Sequence, residues 1–448
     1  MVKRNSHLPD GFGMRFKFNS AVEAREFLES SGILDEHIGI LRKVGTVKTP
    51  AQFPPVKVGT ADATTPLFGP PELGSGIGFA TIDAYMAAVV ECLERNLPRD
   101  YMAHHLVRGR YSDFADKAVD PNDFLPFLPE QYTDKFLCKK YHHDMVLGWI
   151  DAWSVTDQKF KRIPAQIGGF SYDFQKYGEP FLLEQISTGC AGHMSSHAAI
   201  ASSLQEVVER HSTMSTWYSK GDTYLVDCAE LFNSDESWAR IKTYIDQNEL
   251  DFRLIYLPNT FKIPVTCCIC FGKNSVFFKP YAVGASARPS LWESAKKSIL
   301  EMFHTMIYFS RVTGSYPKIL RKKFASPYEI VEPLEHPAYY ANRNRYDGMA
   351  WLWKDAKDTV ALQRVTEGID VKGDILTHFR DAVRDSGRDW LLIDFTPNGY
   401  RKLGFRFAKS IMSHFVPMNG MHAVQGMKFV EKIGHSAQFF HENPHPFP

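Results

Sequence analysis

Much that would classify a chain of 448 residues at first sight is missing from this one. Behind the basic residues of Met1–His7 comes no apolar stretch, so no secretory signal is expected. The longest apolar run, Ile263–Phe271, is far shorter than the roughly 20 residues that cross a bilayer, which excludes a spanning helix. Charge is balanced at a formal +1, leaving no overall field to collect nucleic acid or an anionic membrane. Any anion site must therefore be local. Seven cysteines, an odd number in a long chain, argue against a disulfide framework and for a reducing cytoplasm. No G-x-x-x-x-G-K-[ST] phosphate loop, flavin fingerprint or low-complexity tract occurs.

Metal-binding spacing is absent too. Cys267, Cys268 and Cys270 cluster within Ile263–Phe271, which reads as a buried strand. Strand alternation puts Cys268 and Cys270 on one face and Cys267 on the other. No second Cys or His pair completes a zinc set. The doublets His104-His105 and His142-His143 point their rings apart.

What is present is an ordinary globular composition, 44% hydrophobic and 23% charged, with enough chain for a large core. Helical patterns alternate with strand-like runs such as Phe252–Leu257 and Asp389–Asp394. The expectation is a single α+β unit with mixed sheets. Residues 1–60 form an N-terminal segment of that unit and 61–448 the main domain. The glycine- and proline-bearing stretch Thr46–Gly78 reads as a lead-in with turns.

One local design recurs. Gly74-Ser-Gly-Ile-Gly-Phe79 precedes a helical stretch ending in Glu91-Cys-Leu-Glu94-Arg95, and Thr188-Gly-Cys-Ala-Gly192 precedes one ending in Glu206-Val-Val-Glu209-Arg210. A weaker third copy is Gly284-Ala-Ser-Ala-Arg288 followed by Glu301-Met-Phe-His304. Gly189 to Glu206 and Gly284 to Glu301 are both 17 positions, and the first copy is set apart as the looser match. On a helix, Ala84, Ala87, Glu91 and Glu94 share one stripe, and Ala199, Ser202, Glu206 and Glu209 repeat it. Met86, Val90 and Leu93, like Ile200, Leu204 and Val208, make the inward apolar face. Small residues beside two acids leave room for something to lie against the helix.

Four converging carboxylates repel one another, and burial raises their pKa values unless cations compensate. Mg²⁺ takes carboxylate oxygens together with nucleotide phosphates. Arg95 and Arg210 add forked donors suited to phosphate, while glycine before each helix allows close approach at an anion-favouring helix start. A single Glu-x-x-Glu-Arg equally fits a solvated face with a local ion pair. Two copies with the same stripe favour a nucleotide or metal site.

The run Ser187-Thr-Gly-Cys-Ala-Gly192, then Ala199-Ile200 and Leu204–Arg210, resembles the central signature of the YcaO family. Glu91–Arg95 is similar to that family's earlier acidic helix. Leu147-Gly-Trp149, Ile163-Pro-Ala165, Gly284-Ala-Ser-Ala287, Asp394-Phe-Thr-Pro397 and Val416-Pro417 follow in order, so the likeness runs from about Leu73 onward. It implies a YcaO-type α+β fold, mixed sheets with helices forming an ATP-binding cleft, and ATP and Mg²⁺ as cofactors. Carried over, Glu91, Glu94, Glu206 and Glu209 hold Mg²⁺, and Arg210, Arg95, Arg288, Ser195 and Ser202 bind ATP. The family often has other residues where this chain has Ile77, Met194, Ala198 and His304, which thins the polar wall of that site.

The sequence closes on Asn443-Pro-His-Pro-Phe-Pro448. Alternating prolines favour a stiff polyproline II rod, able to hold a carboxylate at a defined place. The ending resembles that of azoline-forming members, which implies the Pro448 carboxylate as a general base in ATP-dependent cyclodehydration of Cys, Ser or Thr in a precursor peptide. The same resemblance implies a bacterial cytoplasmic protein working with a separate leader-peptide-binding partner and a flavin-dependent azoline dehydrogenase. A homodimer is a further expectation. Competing expectations are a thioamide-forming enzyme and a peptide-binding scaffold that no longer uses ATP.

Overall fold

Described here are residues 18–49, 53–64, 73–170, 172–272, 281–310, 319, 322–431 and 443–448 of a computed structural model. Among them, three sheets carry the fold. The first is antiparallel: β1 (Leu41–Thr46), β2 (Lys57–Ala63) and β3 (Leu73–Gly78). The second runs β4 (Val107–Gly109), β5 (Leu147–Ser154), β13 (Trp390–Asp394), β14 (Arg406–Met412), β7 (Cys190–His193), with β6 (Lys159–Pro164) paired to β5. The third runs β11 (Ala282–Ala287), β10 (Val265–Gly272), β9 (Leu250–Leu257), β8 (Tyr224–Asp227), β12 (Thr359–Ala361), and only its β8–β12 pair is parallel. The longer helices are α1 (Ala21–Ser30), α2 (Thr81–His105), α3 (Ser196–Ser219), α4 (Glu236–Gln247), α5 (Leu291–Phe309) and α6 (Ile375–Asp385). This is the mixed α+β architecture expected from the alternation of patterns.

The strand read at Ile263–Phe271 is β10, buried at every position. Its alternation divides the interior: Cys267 and Ile269 join one apolar cluster with Val207, Val208 and Met214 of α3, while Cys268 and Cys270 join another with Ile299 and Phe303 of α5. All seven cysteines are buried free thiols. Phe18, Ala24 and Leu28 pack in a third cluster with Met86 and Leu93 of α2 and Phe407 of β14. None of the described helices is long and apolar enough to cross a membrane.

The stretch Thr46–Gly78 corrects the turn-rich reading. Its described residues hold β2 and β3, and their glycines serve helix packing. A Cβ on Gly74 would stand 2.2 Å from Ala88 O, and one on Gly59 2.2 Å from Ala84 O. Helix α2 lies so close on the sheet that these positions have no room for a side chain. Gly284 repeats the arrangement in β11, where a Cβ would meet Met302 N at 2.3 Å and Ser298 O at 2.5 Å. Glycines that resembled turn punctuation are contact points between strand and helix.

Overpacking against backbone cannot be relieved by a rotamer change, so Gly284→Ala should destabilise the fold by about 1–3 kcal/mol. Gly45 in β1 has nothing within 4 Å of a Cβ, and Gly45→Ala should leave the melting temperature within about a degree or two. Thermal unfolding of both variants checks the contrast. Equal melting points would mean that α5 does not sit on β11 at this distance.

Candidate functional site

Three strand–helix units, β3–α2, β7–α3 and β11–α5, surround one cleft. Counted from the first helical residue, Glu91, Glu206 and Glu301 are each the eleventh. Gly74 to Glu91 also spans 17 positions, so the copy set apart in the sequence is aligned with the other two. In the first and third units the strand glycine presses on equivalent helix residues, Ala88 and Cys92 in α2, Ser298 and Met302 in α5.

This contact lets strand amides reach the acids. Ser75 N–H donates to Glu91 Oε2 at 2.6 Å, and Gly189 N–H to Glu206 Oε2 at 3.0 Å. Gly192 N–H donates to Glu94 Oε2 at 2.9 Å, tying the second acid of α2 to the neighbouring unit. Gly189 adopts φ +81°, and a Cβ there would lie 2.2 Å from Ser410 O. The glycines thus deliver N–H groups to mid-helix carboxylates. They do not build an anion cradle at a helix start, as the sequence had suggested.

The cleft has about 1350 Å³ of atom-free space with its open mouth included. Glu91, Glu94, Glu206 and Glu209 all line it, with Arg95, Arg210, Arg288, Ser202 and Pro448. Ser195 does not. It caps α3, its Oγ accepting from Ala198 N–H, and is exposed. Ile77 and His304 line the cleft, whereas Met194 and Ala198 do not. The sequence reading missed Lys297 and Glu301 as members of the wall. Lys297 and Glu301 pair at i,i+4 and His304 Nδ1 lies 3.6 Å from Glu301, which in sequence looks like an ordinary surface ion pair. The repeat was the available signal.

Burial pushes Glu94 well above the usual carboxylate range, reinforced by Glu91 and Glu206. It raises Glu206, and lifts Glu209 to about 7 although Arg210 opposes the shift. Glu301 moves the other way: burial would raise it, but Lys297 and His304 outweigh that and hold it low. Burial lowers Arg288 despite the facing Glu209 and Glu301. Arg95 pairs with Glu91 at 2.7 Å. Arg210 Nε stands 3.4 Å from Glu209 and 3.8 Å from Glu206 with no hydrogen bond made, while its Nη1 donates to Pro448 O at 3.1 Å.

Five carboxylates therefore face four cationic side chains, Arg95, Arg210, Arg288 and Lys297. A triphosphate alone finds no excess positive charge, and the raised acids want a cation. A divalent metal with a nucleotide meets both needs, Mg²⁺ sharing one or two carboxylates with phosphate oxygens. Among the described residues no group of three or more His, Cys, Asp and Glu stands ready to hold a metal alone. The donor set fits a metal that arrives with its phosphates.

Residues 75–416 match the family model described as YcaO cyclodehydratase, ATP- and Mg²⁺-binding. A search of curated proteins finds no match. Among solved structures, a heterocyclase in complex with substrate and cofactor is similar at TM-score 0.70 and 16% identity, covering 88% of this chain and 52% of that one. This chain thus spans about half the length of that heterocyclase. YcaO from Methanopyrus kandleri bound with AMPPCP and Mg²⁺ is similar at TM-score 0.58 and 14% identity, with 95% and 94% covered. The E. coli microcin synthetase McbBCD complex, whose structure with pro-MccB17 bound also matches, is similar at 0.59 and 15%, with 90% and 96% covered. These likenesses concern the fold.

A carboxyl raised to about 7 from an unfolded value of about 4.3 binds more protons folded than unfolded. Its penalty on stability is absent below about pH 4, grows as pH rises to about 7, and is then constant. Metal-free Glu209→Gln should therefore gain more in melting temperature over the parent at pH 8 than at pH 5. The gain should be on the order of 1 kcal/mol once partial exposure is allowed for. Equal melting curves at pH 8 would place Glu209 in a solvated setting.

Proposed function

The chain belongs to the YcaO family, with ATP and Mg²⁺ as its cofactors, and from that premise we propose an ATP-dependent cyclodehydratase. It closes Cys, Ser or Thr side chains of a ribosomally made precursor peptide onto the preceding backbone amide, giving thiazoline or oxazoline rings. One observation carries this reading. Pro448 shares a cleft with the acids of α2 and α3, and Arg210 contacts both sides, Glu209 at 3.4 Å and Pro448 O at 3.1 Å.

In the proposed reaction a Pro448 carboxylate, ionised at neutral pH from an ordinary pKa of about 3.3–3.7, takes the proton from the attacking thiol or hydroxyl. The side-chain sulfur or oxygen bonds to the amide carbon as the carbonyl π pair moves onto oxygen. Bound ATP with Mg²⁺ supplies the phosphoryl group that turns this oxygen into a leaving group. The amide nitrogen then gives up its proton and forms C=N as the oxygen departs on phosphate. Atoms balance as amide plus ATP to azoline, ADP and phosphate. Glu91, Glu94, Glu206 and Glu209 would hold the metal, while Arg210 and Arg288 would orient phosphate oxygens and offset their charge. Arg95, clamped on Glu91, keeps that acid directed at the cleft.

Further parts of the proposal are a leader-peptide-binding partner and an azoline dehydrogenase acting on the product. Support for a peptide substrate and partner proteins comes from the similar synthetase complex with pro-MccB17 bound. The thioamide alternative would exchange oxygen for sulfur, whereas ring closure removes one water, so product mass separates them.

Appending one glycine after Pro448 moves the carboxylate away from the cleft. Ring formation, followed by mass spectrometry of the precursor with partner and ATP, should stop, while calorimetric binding of ATP with Mg²⁺ stays within about twofold. Cyclisation at the parent rate would remove Pro448 from the mechanism. In the same calorimeter ATP with a chelator should give little heat, since the cleft has no net positive charge of its own.

A further inference from the structure

The prolines at 444, 446 and 448 have no N–H, so half of the backbone donors of Asn443–Pro448 are missing and its carbonyls carry much of any backbone anchoring. Three of the first residues' carbonyls meet buried donors from elsewhere in the chain. Tyr340 Oη donates to Pro444 O at 2.6 Å, and Tyr281 Oη to Pro446 O at 3.2 Å. Between them, His336 Nδ1 lies 2.9 Å from His445 O. The His445 ring stacks on His336 with centroids 3.6 Å apart and planes 11° from parallel, and its Nε2 donates to Asn419 O at 3.0 Å. Tyr281, His336, Tyr340 and His445 are each at most 3% exposed.

These donors are fixed independently of the tail. Tyr281 immediately precedes β11, the strand whose helix α5 contributes Lys297 and Glu301 to the cleft. His336 sits in the short helix Glu335–Tyr339, which Tyr340 terminates. The second nitrogen of His336, Nε2, faces Gly420 O at 3.0 Å. Burial holds this imidazole neutral, so its one ring proton serves one of two carbonyls, and a clamp on the tail requires the Nδ1–H tautomer that serves His445 O. Six residues at this end of the chain could have been anchored by apolar contacts alone. Here the anchoring is directional, and it fixes how far the last residue reaches.

We propose that His336, Tyr340 and Tyr281 form a carbonyl clamp that sets the reach of Pro448 into the cleft. They are positioning residues for the cyclodehydration proposed above, and this inference rests on that reading. Each removed donor lets the tail slide or lift. A carboxylate displaced by a fraction of an ångström to an ångström loses its line to the attacking side chain while the nucleotide wall is untouched.

The test uses the full chain with its partner and precursor. Tyr340→Phe and His336→Leu each remove a donor and keep bulk. Both should lower kcat for ring formation by about tenfold or more while KM for ATP stays within about twofold. Hydrogen exchange at the His445 and Phe447 amides should rise while protection in α2 is unchanged. His336→Asn, which returns a donor near the Nδ1 position, should recover part of the rate. Tyr281→Phe, at the longest of the three bonds, is the milder variant should the others unfold. Unchanged tail exchange in these variants overturns the clamp, and so does faster exchange with the parent kcat. Should no precursor be cyclised even by the parent, the chemical reading falls, and tail exchange still decides the clamp.

Discussion

Carboxylates gathered in a partly dry cleft have to be reconciled with folding, and the neighbouring structure is organised around that requirement. Desolvation pushes Glu94, Glu206 and Glu209 toward their neutral forms, with repulsion adding to it at Glu94 and Glu209. Strand amides on Glu91, Glu94 and Glu206 answer part of the cost. An amide can reach a mid-helix carboxylate only if strand and helix touch, and they touch only where the strand has no side chain. Gly74 and Gly284 follow from the packing of the units, Gly189 from its close approach to Ser410. An electrostatic demand at the centre thus becomes a steric rule at the strands.

The amides do not finish the task. Arg95, Arg210, Arg288 and Lys297 face five glutamates and leave the cleft with no positive excess. Such a site is a poor sink for a free anion and a better one for an anion that arrives with its cation. That coupling is the physical counterpart of a family that uses ATP and Mg²⁺ together. The sequence has no phosphate loop: where such a loop offers backbone N–H groups to phosphate, here backbone N–H groups serve the acids.

How much of this was legible depended on whether periodicity carried it. The two faces of β10 were readable because alternation at Cys267, Cys268 and Cys270 has one structural outcome. The stripes of α2 and α3 were readable because spacings of three and four survive in any helix. The glycines of β3 were misread because close packing and turns ask for the same residue. Glu301 went unassigned because Lys297 four residues earlier offers a sufficient local explanation. Ser195 was carried over by resemblance, yet its hydroxyl is spent capping α3. Met194 and Ala198, which seemed to thin the nucleotide wall, stand outside the cleft, so those departures do not touch it.

The docking of the tail was not legible, since the groups it docks by are its own carbonyl oxygens, which every residue has. Its use as a base also has a physical rationale. Another acid on α2 or α3, one turn further on, would project among the metal-holding glutamates and compete to become a ligand itself. The tail comes from outside those helices, beside Arg210, which contacts Pro448 O and Glu209 together. Arg210 opposes the upward shift that burial imposes on Glu209, and the same guanidinium donates to Pro448 O. In the proposed reaction, a base off the helices would separate proton transfer from metal binding within one cleft.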